Sequence, residues 1–154
     1  LEGATDRWSP ETEILLFTAA RRDHLEKTIR PALARGEIVI TDRFADSTRV
    51  FKGLTRGDLT ATVDQLHALM IGVAPDRTLL FDLDPAKGLA RAVARPGKEL
   101  RFEDMGLAFQ ERARAGFRGL AARNDRFRVI DADADPETVA GRVMAAVGPH
   151  LPKT

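Results

Sequence analysis

Cysteine is absent from the 154-residue chain. No disulfide framework and no thiolate metal site can be built, and a cytoplasmic location is expected. Histidine is scarce: His24, His67 and His150 stand far apart, which argues against a histidine-rich metal site. No apolar run is long enough to cross a membrane, and no signal-peptide pattern opens the chain. Charge of one sign is lacking as well. Twenty-four Lys and Arg face 23 Asp and Glu, a formal charge of +1 that argues against a general nucleic-acid binder. Neither a nucleic acid nor a membrane is expected as partner.

What is present is the balance of an ordinary globular protein. Apolar residues make up 44% and charged residues 31%, enough for one domain over 1–154 with a real core. Arginine clusters between Arg91 and Arg128. In a near-neutral protein such a cluster suits local phosphate recognition; the alternative is solvated helix faces.

Helix and strand patterns alternate. Ser9-Pro10 reads as an N-cap followed by proline at the first helical position, with Ile14, Phe17, Leu25 and Ile29 at helical spacing and a stop at Gly36. A strand is predicted over 37–41, then a helix from about Asp46 and another from Asp58-Leu59-Thr60 carrying Val63, Leu66, Leu69 and Met70 on one face. A second strand is predicted over 77–83, a helix from Pro85 to about Ala94 and a long amphipathic helix over 103–123. A third strand is predicted over 127–131, and a last helix from Pro136 to about Val147. The strands are short apolar runs without alternation, the pattern of a parallel sheet covered on both faces. Ligands of such sheets bind beyond the carboxyl ends of the strands, where Asp42, Asp82 and Asp131 fall.

Three groups of residues carry candidate chemistry. Asp42 and Arg43 close the first strand. Together they read either as an ion pair or cap, or as a carboxylate that holds a magnesium-bound water or orients a nucleophile beside a guanidinium that grips phosphate. Phe17 and Arg21 are four apart and share a helix face. Either Phe17 is core and Arg21 surface, or the ring stacks on a planar base and the arginine donates to its carbonyl edge. Arg91, Arg95, Lys98 and Arg101 surround a Pro-Gly break. They form either an exposed basic loop or a mobile lid, about 92–102, that closes over phosphates.

Taken in order, "LLFTAARRDHLEKTIRPALARGEIVITDRF", the following Ser47-Thr48, Phe51 and Gly53, "DLDPAKGLARAVAR", "RFE", "RARAGFRGLA" and "VIDADADPETV" resemble the thymidylate kinase family, from about Ser9 to Val147. The resemblance implies an α/β, P-loop kinase-like three-layer sandwich with a parallel sheet. It also implies transfer of phosphate from ATP to dTMP with Mg2+, and a homodimer. On its positions, Phe17 and Arg21 bind thymine, and Asp42 and Arg43 serve catalysis and the substrate phosphate. Ser47 and Phe51 line the deoxyribose; Arg91, Arg95 and Arg101 belong to the lid, with Arg95 and Arg101 serving catalysis and Arg91 and Arg95 binding ATP; and Ala132 and Asp133 border the adenine of ATP. A carbonyl suits an arginine donor, so the pair Phe17/Arg21 favours thymine. Another nucleoside monophosphate or deoxynucleoside kinase and a noncatalytic nucleotide-binding domain are the alternatives.

The family's glycine loop, G-x-x-x-x-G-K-[ST], does not occur in this chain, whose single Gly-Lys, Gly97-Lys98, precedes Glu99. The expectation is therefore an N-terminally incomplete domain without its first strand, P-loop and second strand, and a chain inactive by itself. Two departures concern the site. Lys52 stands where the family usually has Gln, and Leu100 stands before Arg101 where Asp is usual.

Overall fold

The computed structural model describes residues 7–54, 57–93 and 105–151. They fall into two compact units, Leu1–Ala74 and Pro75–Thr154.

The first unit is helical among its described residues. Helix α1, Pro10–His24, starts as the sequence predicts: Ser9 Oγ accepts the backbone N–H of Thr12 at 3.1 Å, and Pro10 fills the first position. The run continues to residue 34 through a widened π turn, Leu25–Ile29, and α2, Arg30–Ala34. Pro31 explains the widening. It has no N–H and its ring crowds the preceding turn, so the ladder ahead of it slips to a five-residue spacing, with Arg30 N–H bonded to Leu25 O. Gly36, at φ 78°, ends the run in the left-handed conformation that glycine adopts without steric cost.

After an irregular stretch come α3, Ala45–Thr48, a second π turn, Arg49–Leu54, and α4, Thr60–Met70. Helix α1 packs on the second π turn and on α4. Leu25, Ile29 and Ile71 form a buried cluster, with Val39 and Phe44 against it. Gly53 is needed where the π turn meets α4: a Cβ there would lie 3.1 Å from Thr60 Oγ1 and 3.2 Å from Thr60 Cα.

Two expectations for this unit fail. Residues 37–41 form no strand, because no described segment offers them a ladder. Val39 alone turns to the core, while Ile40 is 92% exposed. In α4, Val63 is buried but Leu69 is 78% exposed. The face that packs inward runs through Val63 and half-buried Leu66 and His67, so Val63 and Leu66 keep the predicted face while Leu69 and Met70 leave it.

The second unit is built on two parallel strands, β1, Thr78–Asp82, and β2, Phe127–Asp131, in register from Thr78↔Phe127 to Asp82↔Asp131. Helices α5, Pro85–Val93, and α6, Leu107–Ala122, lie between them in sequence. Helix α6 packs on both strands, and α7, Pro136–Val147, packs on β2. Phe109, Ala113, Phe127 and Ile130 are buried. Asp135 caps α7, accepting the N–H of Thr138 at 2.9 Å, and Asp84 takes the N–H groups of Ala86 and Lys87 at 3.0 and 3.2 Å as α5 begins. The sheet is thinner than the sequence predicts, with Phe81 and Val129 about half exposed at 53% and 50%.

Candidate functional site

The register places two carboxylates, Asp82 and Asp131, opposite each other at the strand ends. Like charges so placed repel. Arginines compensate: Arg114 donates to both Asp82 oxygens at 2.7 and 2.8 Å, Arg118 donates at 2.7 Å, and Arg142 pairs with Asp131 at 3.0 Å. The Arg114 hydrogen bonds above all hold the Asp82 carboxyl below its ordinary range. Asp82, a strand-end acid by sequence, is therefore a strut between β1 and α6.

Beside this end lies an open apolar groove of about 510 Å3, lined by Phe81, Val139, Val143 and Met144 and bordered by Arg91 and Ala132. Arg91 donates to the Ala132 carbonyl at 3.3 Å and stands 3.8 Å from Asp133. Lys87 donates to Asp133 at 2.6 Å and is the chief cause holding that carboxyl low. Three residues assigned from the resemblance to the ATP side thus come together: Arg91 and Ala132 at the groove edge, and Asp133 paired with Arg91 beside it. Arg95 and Arg101 lie outside the described residues.

In the first unit, Asp42 and Arg43 follow the irregular stretch and are both exposed. Arg43 has φ 68°, a left-handed conformation that costs a non-glycine residue about 1–2 kcal/mol. Its carbonyl accepts the Thr41 hydroxyl at 3.0 Å, and its guanidinium lies 5.4 Å from the Phe51 ring centroid. Strain of this kind concentrates at functional sites. Among the described residues no group of three His, Asp or Glu could hold a metal ion. The lone carboxylate of Asp42 suits only the magnesium mode, in which one or two carboxylates share the ion with phosphate oxygens and water.

Arg21 is half-buried, not a surface residue. Its Nη2 donates to Thr48 Oγ1 at 2.8 Å and to the Phe44 carbonyl at 3.4 Å, and its guanidinium stacks 5.3 Å from the Phe44 ring centroid. Burial first, then the neighbouring Arg49 cation, lowers its pKa, and Asp46 works in the opposite direction. Those bonds engage one terminal nitrogen. The N–H groups on Nε and Nη1 have no protein acceptor among the described residues. Phe17, one turn earlier on α1, is half-buried, as are Ser47 and Phe51.

Sequence reasoning missed the supports of Arg21. Thr48 is 5% exposed and Phe44 belongs to the core edge; both fall within the matched motif, but no supporting role for Arg21 was legible from it. It also missed an ion pair between Glu13 and Lys52, which are 0% and 3% exposed. Lys52 was visible as an unusual residue; its partner was not.

Comparison with known proteins follows the same lines. A family model described as thymidylate kinase matches residues 1–143. A thymidylate kinase of Ruegeria pomeroyi is 63% identical over 155 residues, covering 100% of this chain and 74% of that protein. One from Jannaschia sp. is 58% identical, covering 98% and 73%. One from Dinoroseobacter shibae is 61% identical, covering 94% and 70%.

Proposed function

The chain belongs to the thymidylate kinase family, a family of phosphotransferases, and from that premise we propose that it phosphorylates dTMP with ATP to give dTDP. An oxygen of the 5′-monophosphate attacks the γ-phosphorus, the bond to the bridging oxygen breaks, and ADP leaves. Such a reaction needs positioning and charge neutralisation more than covalent help.

The half-used guanidinium of Arg21 carries this reading. A half-buried cation fixed through one nitrogen, with its remaining donors open, suits a carbonyl acceptor on a planar ligand. Thymine presents a carbonyl where cytosine presents an amine. Phe17, on the same helix face, supplies the stacking ring. Ser47 and Phe51 take the sugar side, and Arg43 grips the monophosphate. Ala132 and Asp133 border the adenine, and Arg91, which donates to the Ala132 carbonyl at the edge of the apolar groove, binds on the ATP side. The roles of Arg95 and Arg101 on the transferred phosphate rest on the resemblance.

When bound with ATP, Mg2+ would supply charge neutralisation on the phosphates. Asp42 would hold it through a water, the one mode that its single carboxylate fits. We further read residues 1–154 as a single three-layer P-loop kinase-like domain that acts as a cytoplasmic homodimer. The family resemblance supports this reading.

Titration of dTMP and dCMP into the full-length protein tests the base reading. A charged hydrogen bond gained by one base and refused by the other predicts a preference for dTMP of about tenfold or more. Equal affinities would remove Arg21 as the reader of the base.

A further inference from the structure

Glu13, Phe17 and Arg21 follow one another at four-residue spacing on α1, so they form a single stripe along that helix. Both ends of the stripe are tied to the segment 44–54. At one end Arg21 donates to Thr48 Oγ1 and to the Phe44 carbonyl. At the other, Lys52 pairs with Glu13, and both side chains are withdrawn from solvent. Phe17 stands between the two ties, and Phe51 is next to Lys52 in the chain.

We propose that Glu13 and Lys52 are a positioning pair for nucleoside recognition: their buried ion pair sets the spacing between the helix stripe that carries Phe17 and the turn that carries Phe51. The proposal rests on the reading of Phe17 and Arg21 as the base-binding pair. A buried ion pair is a costly device for stability alone, since well-packed apolar residues often serve as well. It is an effective device for geometry, because pulling the carboxylate and the ammonium apart would leave a buried charge unpaired. The segment that needs holding is unusual. Residues 49–54 are a π turn, widened relative to an ordinary helix and rarely stable without tertiary support. Gly53, close against Thr60, ties the far side of that turn to α4. Lys52 ties the near side to α1. A Gln at position 52 could donate an amide N–H to Glu13 and keep the same spacing. Lys52 therefore keeps the spacing that Gln would give, through an ion pair instead of an amide bond.

The test compares Lys52→Met, Glu13→Gln and Lys52→Gln with the parent in the full-length protein, with KM for dTMP, KM for ATP and kcat measured for each. Lys52→Met leaves Glu13 without its ammonium, and Glu13→Gln leaves Lys52 without its carboxylate. Both should raise KM for dTMP by roughly ten- to a hundredfold, the effect of a small misplacement of a binding group. KM for ATP and kcat should stay within about twofold of the parent, because the ties lie in the wall that holds the nucleoside. Lys52→Gln should restore the parent KM. Phe17→Ala, measured alongside, should raise the same KM. If Phe17→Ala leaves it unchanged, the base-binding reading falls and this proposal with it. If Phe17→Ala raises it but neither Glu13→Gln nor Lys52→Met does, the pair is only a structural tie and the proposal alone is overturned. The same holds if both KM values move together or if Lys52→Gln gives no rescue. Glu13→Gln keeps the shape of its side chain, so the test stands even where Lys52→Met fails to fold.

Discussion

Replacing Arg21 with alanine separates two roles that the structure gives this residue. The first is local support. Arg21 makes a 2.8 Å bond to the buried Thr48 hydroxyl and stacks 5.3 Å from the Phe44 ring centroid. A hydrogen bond from a charged group contributes about 1.5–3 kcal/mol, and a partly exposed cation–π contact about 0.5–1 kcal/mol. Part of this is offset, because burial and the Arg49 cation both disfavour the charge on Arg21. A net loss of about 1–2 kcal/mol is expected, which lowers Tm by roughly 2–8 °C in a domain of this size. The second role is base reading through the donors on Nε and Nη1. Losing a charged bond to one carbonyl should cut the ratio of kcat/KM for dTMP over dCMP by about ten- to a hundredfold. Thermal unfolding reads the first role, and steady-state kinetics with both nucleotides reads the second. Arg21→Lys should recover part of the stability but little of the discrimination, because an ammonium lacks the planar fork. A variant that loses several degrees of Tm and keeps the parent nucleotide ratio would show Arg21 to be a strut between α1 and α3, and would refute the base-reading argument.

Three further outcomes are expected. Arg43→Ala and Arg43→Gly should each lower turnover by roughly a thousandfold, the scale of an arginine that stabilises charge in phosphoryl transfer. The glycine variant should be the more stable of the two by about 1 kcal/mol, since φ 68° strains alanine and not glycine; rates within a few-fold of the parent would take Arg43 out of the mechanism. Burial first, then Arg49 and Arg21, pushes the His67 pKa down, and its Nδ1 has no hydrogen-bond partner among the described residues. The folded state thus keeps His67 neutral while the unfolded chain takes up a proton below about pH 6.5. Stability should be full above that pH and fall as pH drops toward the lower folded value. Urea midpoints at several pH values should show a weaker fall in His67→Asn, and an identical fall would assign it to other groups. Gly53→Ala should destabilise the first unit by about 1–3 kcal/mol, because the new Cβ meets the backbone at the start of α4; an unchanged denaturation midpoint would show that α4 yields.

The second unit was the more legible part of the sequence. Both of its strands, the caps at Pro85 and Pro136 and the run of α7 follow local signals: short apolar runs, an acid before proline, helical spacing. The first unit depends more on tertiary partners. The apolar run at 37–41 has a strand's composition, but a strand needs a neighbour to bond to, and composition does not say whether one is present. The π turns were invisible for a similar reason. Pro31 hints at the first, while the second, 49–54, holds its shape through Gly53, Lys52 and their contacts with α4 and α1. Among the site residues, spacing brought Phe17 and Arg21 to one face, and the strand-end acids stood out by position. What each acid does was not legible. Asp82 and Asp131 differ from Asp42 because arginines from α6 and α7 reach them, and those contacts cross long stretches of sequence.

The most direct test of the account is product analysis with the full-length protein, γ-labelled ATP, Mg2+ and dTMP. The account predicts that label moves to dTDP, that ADP appears in equal amount, and that Arg43→Ala abolishes both. Release of labelled inorganic phosphate without dTDP, or label transfer that persists at the parent rate in Arg43→Ala, would contradict it.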